Sequence, residues 1–295
     1  MNEFHLLAQI HALSTHVHAA VLVPNGDDAV VLASTPASTV LSVDAHVEHV
    51  HFERSWLNMR ALGYRSAMAA FSDLAAMGAT PVGLLGSVQF ARNVSPEDLI
   101  ELSRGQLDAC LELGASVLGG NLSRGETLAI HTTVLGHVDG TGLTRNGARV
   151  GDLVAVAGSL GMAARGLAAL QAGAPDTAAI TAWSRPRAQI EAGLRARSVA
   201  TAAIDVSDGL AQDLSHLARA SGVAVALDAA SLASFIESAG SLERVLHGGE
   251  DYALVVTSPE LPEGFVRIGE VQSGEGVWLS GARLGNASGW DHGRT

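Results

Sequence analysis

The sequence contains no lysine, and all 18 of its basic residues are arginine. This absence excludes the lysine-dependent phosphate sites of P-loop proteins and protein kinases, and also a Schiff base to pyridoxal phosphate. Cys110 is the single cysteine, so no disulfide can form within the chain. We expect a cytoplasmic protein, because the first residues lack a signal-peptide pattern and no apolar run reaches the roughly 18 residues that span a bilayer.

Positive charge is also scarce. Thirty acidic residues give a formal net charge of -12, and the arginines are scattered singly rather than grouped in stripes. This distribution argues against a nucleic acid or an anionic membrane as a partner. A ligand that carries phosphates would therefore need metal ions to bind this acidic chain.

The hydrophobic pattern predicts a mixed α/β protein of two domains. The 295 residues are 47% hydrophobic, with 33 glycines, and helix-like and strand-like stretches alternate. The turn-forming residues 141–147 separate an N-terminal domain, residues 1–140, from a C-terminal α/β domain, residues 141–295. In the first domain we predict a helix over about 3–13, strands over 29–33 and 40–43, a small-residue helix over 57–77, and a helix capped by Ser95.

Carboxylates recur at the ends of predicted elements. Asp27 and Asp28 lie in a turn before a strand, Asp44 ends a strand, and Asp73 lies near the end of the long helix. The segment Asp205-Val206-Ser207-Asp208-Gly209 opens a helix, where backbone N–H groups favour anions. Taken alone, each motif is also compatible with an ordinary turn or cap. Together these oxygen ligands, without thiolates, suit Mg²⁺.

Two glycine pairs precede polar residues. The segment Gly119-Gly120-Asn121 follows a predicted short strand, and we interpret it as a loop whose bare backbone approaches phosphates while Ser123 and Arg124 donate. A tight turn between strands remains equally compatible. The second pair lies in Gly248-Gly249-Glu250-Asp251-Tyr252.

Histidines cluster after Asp44. The spacing of His46, Glu48, His49 and His51 matches no zinc motif and has no supporting cysteine pair. The period of a strand places His49 and His51 on one face, where they could line a pocket.

Eight segments, read in chain order, resemble the thiamine-monophosphate kinase family. They are Gly26-Asp27-Asp28-Ala29, Ser42-Val43-Asp44, His51-Phe52, Ser72-Asp73-Leu74-Ala75-Ala76-Met77-Gly78-Ala79, Gly119-Gly120-Asn121 with Arg124-Gly125, Leu143-Thr144-Arg145, Ile204-Asp205-Val206-Ser207-Asp208-Gly209-Leu210 and Gly248-Gly249-Glu250-Asp251-Tyr252. The collinear order of the segments over nearly the whole chain makes this resemblance more specific than any one motif.

The resemblance implies a fold and a reaction. The fold is the two-domain one shared with aminoimidazole ribonucleotide synthetase. In it, residues 1–140 would bind ATP and metals, and their sheet would pair with a second subunit in a homodimer. The reaction is transfer of the γ-phosphoryl group of ATP to thiamine monophosphate, giving thiamine diphosphate with the help of several Mg²⁺ ions.

The resemblance also implies roles for individual residues. The implied metal ligands are Asp28, Ser42, Asp44, Asp73, Asn121, Asp205 and Asp208. The implied ATP contacts are Gly120, Asn121, Arg124, Arg145 and Ser207, and the implied thiamine-monophosphate contacts are His51, Glu250 and Trp290. We assign no general base, because a phosphate nucleophile is already largely ionised near neutral pH.

The chain departs from the family pattern at four positions. Asn121 replaces a metal-binding Asp, Leu122 and Val43 replace hydroxyl residues, and Arg104 replaces a nucleotide-contacting Tyr. These departures leave two alternatives to an active kinase. One is a catalytically impaired paralogue that binds nucleotide or thiamine phosphates, and the other is a related ATP-dependent synthetase of the same superfamily.

Overall fold

The computed structural model describes residues 3–13, 17–23, 29 and 31–284. The chain divides into two compact units. The first unit comprises residues 1–74 and 80–140, and the second comprises residues 75–79 and 141–295. None of the helices formed by the described residues is both long and apolar enough to span a membrane.

The first unit begins with a helix and a short strand pair, followed by a four-stranded sheet with two long helices. Its elements are α1 (Glu3–Leu13), β1 (Val21–Val23), β2 (Val31–Leu32), β3 (Ser38–Val47), α2 (Met59–Ala76), β4 (Thr80–Phe90), α3 (Pro96–Glu112), β5 (Ser116–Arg124) and β6 (Ala129–Val138). The sheet order is β3-β6-β4-β5, in which β4 and β5 run parallel and the other neighbours run antiparallel.

Alternation along β6 shows which face of this sheet is inward. Ile130, Thr132 and Val134 are buried, whereas His131 between them is exposed, as expected for a strand with one covered face. The helices lie on the inward face: a Cβ at Gly136 of β6 would meet Leu74 of α2. The register aligns Asp44, Thr132, Gly86 and Gly120 in one row across the four strands.

Small residues let the two long helices approach closely. A Cβ at Gly63 of α2 would overlap the carbonyl oxygen of Leu102, and one at Gly105 of α3 would overlap that of Arg60. The predicted cap of α3 is confirmed, because Ser95 Oγ accepts a hydrogen bond from the Asp98 N–H over 3.1 Å. Cys110 is buried in α3, and burial raises the pKa of its thiol.

The second unit is built on a seven-stranded sheet. Its elements are β7 (Leu153–Ala157), α4 (Met162–Ala172), α5 (Thr177–Ser184), α6 (Ile190–Ala196), β8 (Ala202–Val206), α7 (Leu210–Ser221), β9 (Ala224–Leu227), α8 (Ala233–Ala239), α9 (Leu242–His247), β10 (Ala253–Ser258), β11 (Val266–Gln272), β12 (Gly276–Leu279) and β13 (Ala282–Arg283). The strand order is β13-β12-β9-β11-β7-β10-β8, antiparallel except for β12 beside β9. Aliphatic residues of β7, β8, β10 and α7 form its main core.

Two sequence predictions in the first unit are wrong. Gly119-Gly120-Asn121 is not in a loop: β5 continues to Arg124, since it pairs with β4 as far as Phe90. His49 and His51 do not share a strand face, because β3 ends at Val47. They lie in the following turn, where His49 has a φ of 70°. The strand β3 is also longer than the predicted range 40–43, because β6 pairs with it from Ser38 to Val47.

Candidate functional site

In the first unit, three predicted metal ligands lie on β3 and α2. Ser42 and Asp44 are half-buried, and the residues that alternate with them, Leu41 and Val43, are exposed. The Ser42 hydroxyl donates a hydrogen bond to the Asp73 carboxylate. Asp73 is half-buried, and this hydroxyl is a protein donor to its carboxylate.

The Asp44 carboxylate accepts a backbone hydrogen bond and lies near the buried His46. Its Oδ1 accepts a hydrogen bond from the Ala45 N–H over 2.7 Å, and its Oδ2 lies 3.7 Å from Nδ1 of His46. Burial, followed by the charges of Arg65 and His51, lowers the pKa of His46 well below its usual value. His46 is therefore neutral near pH 7 and forms no charged pair with Asp44.

His51, a predicted substrate contact, is fixed by the turn after β3. Its Nδ1 accepts a hydrogen bond from the Val47 N–H over 3.1 Å, and its ring centroid lies 5.7 Å from that of His46. His49 is instead exposed and hydrogen-bonds with Glu53 at 3.0 Å.

The predicted nucleotide contacts of the first unit lie on β5. A Cβ at Gly120 would overlap the carbonyl oxygen of Gly86 on β4, so only glycine allows the two strands to approach this closely. Asn121 pairs in register with Ser87. Arg124, four residues after Gly120, is exposed, with its guanidinium 5.2 Å from the Phe90 ring centroid.

Asn121 and Asp44 are not brought together within the sheet. They lie on β5 and β3, which are the two edge strands. Three strand spacings separate these edges, about 14 Å. Among the residues that the structure describes, no three His, Cys, Asp or Glu side chains gather to hold a metal ion. Asp28 lies outside the described residues. The metal site therefore stays a prediction.

In the second unit, β8 and the loop after it carry three predicted site residues. Asp205 is buried in the strand, and Ser207 and Asp208 follow it half-buried. Asp213 on α7, which sequence reasoning missed, holds this loop: its Oδ2 accepts from the N–H groups of Asp208 and Gly209, each over 3.1 Å. Burial, with the nearby charges of Asp205 and Asp208, raises the pKa of Asp213 well above its usual value.

Arg145 lies beside the same strand. Its neighbour Thr144 accepts a hydrogen bond from the Ala203 N–H over 2.9 Å. The carbonyl of Arg145 accepts one from Ser221 Oγ over 3.0 Å. The backbone is thus tied to β8 and α7, while the Arg145 side chain is exposed.

The loop that carries Glu250 packs against the Asp205 strand. The Glu250 N–H donates to the carbonyl of Ser207 over 2.7 Å, and the Tyr252 N–H donates to that of Val206 over 2.9 Å. Ser207 and Glu250 were predicted to contact different substrates, and the structure brings them together.

The loop that carries Glu250 has an uncommon backbone conformation. Glu250 and Tyr252 have φ values of 57° and 50°, a region that few non-glycine residues adopt. Between them, the Asp251 carboxylate accepts from Gly161 N–H over 2.6 Å and Ala163 N–H over 3.0 Å. Burial raises the pKa of Asp251 to about 7.

Trp183 is the second residue that sequence reasoning missed. It is fully buried, and its indole Nε1 donates to Glu250 Oε2 over 2.8 Å. It lies 67 residues before its partner, so no local pattern could have connected the two. Trp290, the third predicted substrate contact, lies outside the described residues.

Known proteins are similar to this chain in sequence. Residues 26–138 match the family described as AIR synthase related protein, N-terminal domain. The thiamine-monophosphate kinase of Corynebacterium glutamicum is 34% identical over 267 residues, which is 84% of this chain and 81% of that protein.

Solved structures are similar over nearly the full length. The thiamine-monophosphate kinase of Stenotrophomonas maltophilia superposes with a TM-score of 0.84 at 30% identity, covering 96% of this chain and 98% of that one. A structure described as AaThiL complexed with AMPPCP and TMP gives a TM-score of 0.81 at 30% identity, covering 98% and 96%. The mixed α/β architecture is that of these proteins, and the chain belongs to the thiamine-monophosphate kinase family.

Proposed function

We propose that this protein transfers the γ-phosphoryl group of ATP to thiamine monophosphate, forming thiamine diphosphate and ADP. The observation that carries this proposal is the hydrogen bond from the Glu250 N–H to the Ser207 carbonyl. It joins the residue predicted to contact ATP to the residue predicted to contact thiamine monophosphate. The names of the similar proteins, and the AMPPCP and TMP bound in one of them, support the same reaction.

The reaction needs positioning more than proton transfer. An oxygen of the thiamine-monophosphate phosphate forms a bond to the γ-phosphorus, the bond from that phosphorus to the β,γ-bridging oxygen breaks, and ADP leaves with the electron pair. Arg124 and Arg145, both exposed, would neutralise phosphate charge, and the Glu250 carboxylate would attract the cationic thiazolium ring. No residue is required as a general base, because the attacking oxygen is already anionic.

Mg²⁺ fits the donor set that this chain offers. The Ser42 hydroxyl and the carboxylates of Asp44 and Asp73 supply only oxygen atoms from one region of the first unit. When bound, the ions would neutralise charge on the transferred phosphoryl group. The residues proposed to hold them are Asp28, Ser42, Asp44, Asp73, Asn121, Asp205 and Asp208.

We further propose a homodimer in the cytoplasm. The outer face of the four-stranded sheet exposes Leu41, Val43 and Leu85, of which Val43 is 64% exposed. A second copy that covers this face would remove these three exposed apolar side chains from water. Within one chain, Asp44 and Asn121 lie on opposite edge strands of the sheet, β3 and β5. If β3 of the second copy also lay beside β5 of the first, Asp44 of one chain would come near Asn121 of the other.

Chromatographic separation of thiamine esters tests the reaction. The purified protein, incubated with ATP, Mg²⁺ and thiamine monophosphate, should yield thiamine diphosphate. Free thiamine should yield no phosphate ester, because its neutral hydroxyl needs a general base and we assign none among the predicted site residues. Absence of thiamine diphosphate while ATP still binds would favour the impaired paralogue.

A further inference from the structure

The first unit contains a cavity between α1, α3 and the edge of the sheet. Its walls are mainly apolar and include Ile10, Leu13 and Leu107, while its floor includes the bare backbone of Gly86, Gly119 and Gly120. Apolar walls over glycine backbone suit a planar ring system better than a charged ligand.

Gln106 of α3 is one of the polar residues that line this cavity, with His11, Ser103 and Asn121. The residue is only 5% exposed, and its Nε2 has no hydrogen-bond partner among the described residues. Buried amide groups in native proteins nearly always have partners, so such a donor calls for an explanation. A ligand that accepts a hydrogen bond here would supply the missing partner.

Gly86 makes room for the carboxamide. A Cβ at position 86 would lie 2.9 Å from Gln106 Nε2 and 3.1 Å from Oε1, which is closer than ordinary van der Waals contact. Any other residue at position 86 would therefore push the carboxamide out of its place. The Gln106 carboxamide therefore lies directly over the Gly86 backbone at the floor of the cavity.

We propose that the Gln106 carboxamide binds the 6-amino edge of adenine and determines the preference for the nucleotide base. The proposal rests on the proposed function, because the same cavity is lined by Gly120 and Asn121, two of the predicted ATP contacts. A carboxamide offers one donor and one acceptor side by side. This pair complements the 6-amino group and the neighbouring ring nitrogen of adenine.

Calorimetric titrations with Mg²⁺ present provide the test. The probes are ATP and purine riboside 5′-triphosphate, which lacks only the 6-amino group, and the proteins are the full chain and its Gln106→Met variant. The unmodified protein should bind ATP about tenfold more tightly than the purine analogue, as expected for one buried hydrogen bond. Gln106→Met should bind the two nucleotides equally, and both more weakly than the unmodified protein binds the analogue, because the substitution also removes the Nε2 donor to the ring nitrogen.

Two controls separate base recognition from folding and from phosphate binding. Ser103→Ala changes the lining of the same cavity, but the Ser103 hydroxyl already donates to the Leu99 carbonyl over 2.9 Å. This variant should keep the preference for ATP. Inorganic tripolyphosphate, which has no base, should bind the unmodified protein and Gln106→Met equally. The Tm of free Gln106→Met should not fall, because the substitution removes an unsatisfied buried donor.

Equal affinity of the unmodified protein for ATP and the purine analogue would overturn the proposal, even if Gln106→Met failed to fold. Equal weakening of tripolyphosphate and ATP by the substitution would also overturn it. The outcome is separable from that of the proposed function. Thiamine diphosphate formed without base discrimination refutes only the role of Gln106, whereas base discrimination without any thiamine diphosphate refutes only the kinase reaction.

Discussion

The indole Nε1 of Trp183 lies 2.8 Å from Oε2 of Glu250 and donates a hydrogen bond to it. The donor is fully buried, and the acceptor belongs to a loop whose backbone conformation is uncommon. The bond fixes the position of one carboxylate oxygen of Glu250. Trp183 is therefore a positioning residue for the proposed thiamine-monophosphate contact.

Removing this indole donor should weaken the binding of thiamine monophosphate but not the binding of ATP. In Trp183→Phe we expect the KM for thiamine monophosphate to rise by about tenfold, the scale of one hydrogen bond to a charged group. The KM for ATP should stay unchanged, since the Trp183 indole donates to Glu250, a predicted thiamine-monophosphate contact. Steady-state kinetics with each substrate varied in turn measures both values.

Trp278→Phe is the matched control, because the Trp278 Nε1 donates to the carbonyl of the exposed Glu275 over 3.0 Å. It should leave both KM values unchanged. A rise in both KM values in Trp183→Phe, in step with a loss of folded protein, would show that Trp183 is only a core residue.

Asn121 should bind Mg²⁺ without adding charge. In Asn121→Asp, the added anionic oxygen should lower the Mg²⁺ concentration for half-maximal turnover, on the order of threefold, because hard divalent cations favour carboxylates. Turnover measured across a Mg²⁺ series, at saturating ATP and thiamine monophosphate, gives this value.

The control for this experiment is Asn93→Asp, which adds the same charge at an exposed turn outside the predicted site. It should leave the Mg²⁺ dependence unchanged. If Asn121→Asp and Asn93→Asp behave alike, Asn121 is not a metal ligand.

The titration of Asp251 should lower the free energy of unfolding as the pH rises. Its pKa is raised in the folded state, from 3.8 to about 7, so the folded protein binds the extra proton between these values. A raised carboxyl pKa therefore favours folding at low pH, and this contribution is lost as the pH rises from about 4 to about 7. The difference in free energy of unfolding between the unmodified protein and Asp251→Asn, measured in urea, should decrease over this range.

Asp228→Asn provides the opposite control. Hydrogen bonds from Ser231 and the Ala230 N–H lower the pKa of Asp228 below 3.8, so its contribution is present above that pH and is lost as the pH falls below it. The difference in free energy of unfolding between the unmodified protein and Asp228→Asn should therefore not change between about pH 5 and about pH 7. A flat difference for Asp251→Asn as well would contradict the raised pKa.

Local sequence patterns predicted much of the fold. The sequence predicted the helices α1 and α2 and the helix α3 with its Ser95 cap. These features depend on interactions within a few residues, or on a period that one strand or helix sets for itself. The length of β5 could not be predicted in this way, because its glycines suggest a loop until the pairing with β4 is known.

The candidate site was only partly predictable for the same reason. Motif order identified Ser207 and Glu250, yet nothing in the sequence shows that their backbones are hydrogen-bonded. Trp183, Asp213 and Gln106 carry no motif. Their importance comes from burial and from partners, or the lack of a partner, that only the tertiary structure shows.

Transfer of a labelled phosphoryl group tests the central claim most directly. With ATP labelled in the γ-phosphate, Mg²⁺ and thiamine monophosphate, the protein should place the label in the terminal phosphate of thiamine diphosphate, in equal amount to the ADP released. Label found only in inorganic phosphate, with thiamine monophosphate unchanged, would contradict the account.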